Sequence, residues 1–145
     1  MILGAFWAGI LAAVIMAIWI GVAAKHNLVK AHQINLLGNL VLGRRSGVKR
    51  ATLIGFVPHV LVGGLIGGVY GWLFETGGVF SGAPYTQVII LALATWLLME
   101  LLVMPLVGQG IFGVKGDLKR SLPTWLALHG IYSVFLVYFF FLFNS

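Results

Sequence analysis

Residues 2–24 read ILGAFWAGILAAVIMAIWIGVAA and contain no charged side chain. A helix rises about 1.5 Å per residue, so roughly 20 apolar residues cross the about 30 Å of hydrocarbon in a bilayer. This stretch is long enough, and three others match it. Residues 52–74 carry only Pro58 and His59 as interruptions, residues 86–108 carry Glu100, and residues 122–143 carry His129. Charge and turn residues collect between these stretches. The pattern predicts an all-α integral membrane protein, a four-helix transmembrane bundle forming one domain over residues 1–145.

A secretory signal is also apolar, and Val22 and Ala24 are small residues spaced as a cleavage site would need. No basic segment precedes the stretch, however, and it exceeds the usual apolar length of a signal. The first segment therefore reads as an uncleaved helix.

Composition points the same way. Of the 145 residues, 61% are apolar and 8% charged, against about 25% charged in soluble domains. A domain of this length buries roughly 70% of its unfolded surface, too little to hide so much apolar area from water. There is no cysteine, so thiolate metal sites, iron–sulfur ligation and CxxC haem attachment are excluded. The net charge is +6. Its cations flank the spans, which favours anionic lipid headgroups over nucleic acid as the partner.

All nine basic residues fall in two of the three connections. Lys25, Lys30, Arg44, Arg45, Lys49 and Arg50 lie in the first, and Lys115, Lys119 and Arg120 in the third. Basic loops stay on the cytoplasmic side. The expected orientation is N-out and C-out, in a prokaryotic plasma membrane, with Trp72, Phe74, Phe80 and Tyr85 as an outer aromatic belt.

Helices in lipid associate through close packing, which small residues permit. Gly9, Ala13, Ala17 and Gly21 repeat at spacing four in the first span, and Gly63, Gly67 and Gly71 do so in the second. Spacing four keeps each set on one face, so the two spans are expected to form a close antiparallel pair. The last span, with Tyr132, Tyr138 and Phe139–Phe141, is bulky and suits lipid or a partner subunit. In the first loop Ile34, Leu37, Leu40 and Val41 share a helical face. A short interfacial helix would seat that face at the headgroups. Arg44, Arg45, Lys49 and Arg50 are the candidate headgroup contacts. His26 and His32 face the same boundary. The string from Gly43 to Gly47 lacks the lysine and preceding strand of a phosphate-binding loop.

Three ionisable residues lie within spans: His59, Glu100 and His129. Each is seven or eight residues from the basic end of its span, about 10–12 Å deep. Such groups are costly in lipid and usually face the bundle interior. Several chemistries share these residue types. Two imidazoles on separate helices could ligate haem b, and two histidines with a carboxylate could hold a metal ion. The three together could relay protons or ions, or form a hydrogen-bonded cluster that fixes helix register. No paired carboxylate, Ser–His–Asp set or nucleotide loop is present. The sequence-level expectation is a non-catalytic accessory subunit of a larger, respiratory-type membrane complex, contacting other membrane subunits. The alternative is proton, ion or electron transfer through His59, Glu100 and His129.

Overall fold

The computed structural model describes residues 1–29, 33–43, 47–77, 80, 82–115 and 118–145. Among them all regular structure is helical. The helices are α1 (Ile2–Lys25), α2 (Gln33–Leu42), α3 (Val48–Thr76), α4 (Pro84–Leu106) and α5 (Leu118–Asn144). α1, α3, α4 and residues 122–144 of α5 are long and apolar enough to cross a membrane, which suggests a multi-pass membrane protein. Leucine and valine side chains on their outer faces stay exposed, among them Leu3, Leu53, Leu65 and Leu106. Lipid satisfies such faces without further packing.

The packing runs as a chain of neighbours: α2 on α3, α3 on α1, α1 on α5 and α5 on α4. Among the described residues α3 and α4 share no extensive packed interface. They meet at one end, where the buried Tyr70 hydroxyl donates to Gln87 Oε1. Gln87 Nε2 in turn donates to the Gly82 carbonyl, at 2.7 Å. Tyr70 also packs edge-on against Phe80 and Phe140, at 5.7 and 4.9 Å between centroids. Away from this aromatic plug the two helices diverge.

The α1–α3 crossing is close enough to exclude side chains. A Cβ on Gly9 would stand 2.2 Å from the Gly63 carbonyl oxygen, and one on Gly67 would stand 2.2 Å from that of Ala5. A Cβ on Gly63 would meet Ala13 Cβ at 2.4 Å, and one on Gly71 would meet Ala5 Cβ at 2.5 Å. The α1 ridge is therefore Ala5, Gly9 and Ala13. Ala17 is only half-buried, and around Gly21 a Cβ would meet nothing within 4 Å.

A second close crossing joins α2 to α3. A Cβ on Gly38 would stand 1.7 Å from the Ala51 carbonyl oxygen, and one on Gly55 would stand 1.8 Å from that of Ile34. Thr52 Oγ1 donates to Asn35 Oδ1 across the same junction. The apolar face of α2 is thus divided. Ile34 is buried and Leu37 half-buried, while Leu40 and Val41 are exposed. The aromatic residues of α5 are divided too: Tyr132 and Phe140 are buried, and Tyr138 and Phe141 face outward.

α4 is not a uniform α-helix. Residues Met99–Val103 form a π turn, and the Met104 N–H bonds to the Met99 carbonyl, five residues back. Pro105 supplies the reason. It has no N–H for the Leu101 carbonyl, and its ring crowds that carbonyl. The buried face reads Gln87, Leu91, Thr95 and Met99 at spacing four, then steps five residues to Met104. Glu100, within the π turn, has no exposed surface.

Candidate functional site

Where α3 and α4 diverge they enclose a cavity of about 110 Å³. Every helix contributes to its wall: Ala13 and Met16 from α1, Leu37 from α2, Pro58, His59, Val62, Gly63 and Ile66 from α3, Thr95, Leu98, Met99 and Val103 from α4, and His129 and Tyr132 from α5. Val62 and Leu98, from the two diverging helices, are each about half exposed, at 48% and 47%. Both therefore line the cavity and reach the surface of the bundle.

The polar contacts at this cavity fix the placement of hydrogens. A carbonyl oxygen can only accept, so each group bonded to one must donate. His59 Nε2–H donates to the Ala13 carbonyl oxygen, at 3.1 Å. The Tyr132 hydroxyl donates to the Gly63 carbonyl oxygen, at 2.7 Å. The Thr95 hydroxyl donates to the Leu91 carbonyl oxygen, at 2.7 Å. Its single hydrogen is then committed. His129 Nδ1, 3.1 Å from Thr95 Oγ1, must therefore be the donor of that pair. This leaves a neutral His129 with its lone pair on Nε2. That nitrogen has no hydrogen-bond partner, and His129 is only 8% exposed.

Of the three ionisable residues singled out from sequence, the structure brings His59 and His129 to one cavity and keeps Glu100 apart. Glu100 is buried on the π turn, with neither carboxylate oxygen hydrogen-bonded. Trp96, one turn earlier, has an unpartnered Nε1–H and packs against Phe112 at 6.0 Å. Among the described residues no three histidine or acidic side chains come together to hold a metal ion. Haem b fits poorly as well. Bis-His ligation needs an imidazole nitrogen from each side, and His59 Nε2 is committed to α1. The cavity is also smaller than the roughly 300–1,000 Å³ of ordinary ligand pockets.

Lys49 and Arg50 are exposed at the start of α3. Arg44, Arg45 and His32 lie outside the described residues, and His26 is exposed beyond α1. Thr95 is the site residue that sequence reading passes over. A single threonine in an apolar span is common, because it can bond its own backbone. Only its position across from His129 makes it the group that sets the imidazole tautomer. The other hidden participants are the backbone carbonyls of Ala13 and Gly63, which no side-chain pattern reveals.

No protein-family model, curated protein or solved structure matches the chain.

Proposed function

We propose that this chain is a membrane-embedded binding protein that takes a small amphiphilic molecule from the bilayer into the cleft between α3 and α4. The observation that carries this reading is the unpartnered Nε2 of His129, buried in the wall of a largely apolar cavity. In lipid there is no bulk water to satisfy such an atom. An unmet buried acceptor costs about 1–3 kcal/mol, and a bound molecule would remove that cost. An apolar pocket with a few placed polar atoms is the usual form of a small-molecule site.

The size supports an amphiphile. An engineered cavity of about 150 Å³ binds benzene, so about 110 Å³ accepts only a head of a few atoms. The remainder of the molecule would lie in the mouth between Val62 and Leu98, against lipid.

The proposed topology is N-out and C-out in a prokaryotic plasma membrane, supported by the placement of the nine basic residues. The chain lacks cysteine, so single cysteines introduced at Lys25, Lys115 and Tyr85 report sidedness directly. The first two should react only from the cytoplasmic side and the third only from outside.

The binding reading is tested with a photoreactive probe, a long-chain alkanol bearing a diazirine near its hydroxyl, on protein in nanodiscs. Labelling should fall on Met16 and Met99 at the cavity wall. Val62→Trp, which fills the mouth, should remove it. Labelling spread over the outer faces and indifferent to Val62→Trp would refute the reading.

A further inference from the structure

We infer that Glu100 is a proton-binding site, whose carboxyl holds one exchangeable proton within the span and is a neutral acid at neutral pH. The inference is independent of the binding reading above, because Glu100 does not line the cleft. The chain has three acidic side chains. Glu75 is exposed at the end of α3, and Asp117 lies outside the described residues. Glu100 is the buried one. It sits on the π turn of α4 with no exposed surface, and neither carboxyl oxygen has a hydrogen-bond partner. Ionisable groups inside a span usually pair with one another or with the backbone, and Glu100 does neither.

The elements around it supply no counter-charge among the described residues. α4 carries no charge besides Glu100, and Ile111–Gly113, packed against the π turn, carries none. Helix α5, packed on α4, brings His129, which is held by Thr95, and Tyr132, whose hydroxyl is held by Gly63. Lys115 is exposed in the connection, and the side chains of Lys119 and Arg120 lie outside the described residues. No ion pair among the described residues includes Glu100. A carboxylate in such surroundings would lose its hydration with nothing in exchange, and taking up a proton removes the charge itself. The neutral acid also lacks a partner, but a neutral polar group loses far less on leaving water than an ion does.

The backbone that carries Glu100 favours exchange of this proton. Single π turns inside α-helices are frequent at functional sites. This one precedes Pro105, which offers the Leu101 carbonyl no N–H, so the helix is locally less tied together. Glu100 is also six residues from the end of α4 at Leu106, about 9 Å along the axis. The carboxyl is thus near one end of its span.

Infrared spectroscopy tests the inference, because a protonated carboxyl and a carboxylate absorb at separate frequencies. The protein is placed in vesicles of ether-linked lipids, which contribute no carbonyl band. At about pH 8, well above the ~4.3 of a free glutamic acid, the wild type should show the C=O stretch of a protonated side-chain carboxyl. Glu100→Gln should abolish that band. Glu75→Gln combined with Asp117→Asn, which leaves Glu100 as the remaining acidic side chain, should retain it. In D2O the band should move to lower frequency as deuterium replaces the bound proton. A carboxylate band in its place, lost on Glu100→Gln, overturns the inference by showing Glu100 ionised. So does a double variant that has no protonated band, or a protonated band that survives Glu100→Gln. A band that keeps its frequency through prolonged incubation in D2O shows a sealed carboxyl and overturns the exchange.

Discussion

Replacing Gly9 by alanine adds one methyl group to a place where two backbones touch. The new Cβ would lie 2.2 Å from the Gly63 carbonyl oxygen and 3.0 Å from Gly67 Cα. Unstrained contact begins near 3.4 Å, so α1 and α3 must separate locally by about 1 Å. Both neighbours are backbone atoms, so no side chain can swing aside. Overpacking of this kind costs roughly 1–3 kcal/mol. Gly21, on the same helix, is the internal control, since a methyl group there would meet nothing within 4 Å. At that position alanine should gain the roughly 0.5–1 kcal/mol by which it exceeds glycine in a helix. Position 9 has the same gain, so the two variants should differ by the overpacking cost of about 1–3 kcal/mol, or roughly 5- to 150-fold in the unfolding equilibrium. Reversible unfolding in mixed micelles measures the difference. The perturbation should also reach the cavity, because Ala13, one turn along α1, receives the His59 hydrogen bond. Photolabelling should weaken in Gly9→Ala and persist in Gly21→Ala. Equal stabilities for the two variants would refute the claim that Gly9 sits at a backbone crossing.

Two further perturbations address α4. Pro105→Ala restores the N–H that the Leu101 carbonyl lacks, so the π turn at Met99–Val103 should relax to α-helix and rotate the segment beyond it by roughly 100°. A single cysteine at position 104, in place of the buried Met104, should then gain reactivity toward a membrane-permeant maleimide, and unchanged labelling would contradict the proline as cause. Glu100→Met removes a buried carboxyl without breaking a hydrogen bond, so it should stabilise the fold by about 1–3 kcal/mol, whereas a loss of stability in the same unfolding assay would show that Glu100 has a partner.

The sequence by itself determined the spans and named the polar residues inside them. Span length and apolarity are local properties, set by the distance a helix must cover and by the cost of charge in hydrocarbon. Helix α2 was legible as a run with one apolar face, but its anchorage was not. The close approach at Gly38 depends on where Ala51 falls on another helix. The grouping of His59, Glu100 and His129 at one depth was also legible, because depth follows from counting along each span. Which of them meet is a question of rotation about each helix axis. The π turn before Pro105 alters that rotation inside α4 and brings Met104 to the buried face. Thr95 and Ala13 then decide which nitrogen of each imidazole holds a hydrogen, and Gly63 takes the Tyr132 hydrogen, through contacts between residues 34 to 69 positions apart. The opening stretch and its three apolar counterparts fix what kind of protein this is. The acceptor left free on His129, and with it the chemistry of the site, exists only once α1, α3, α4 and α5 are packed together.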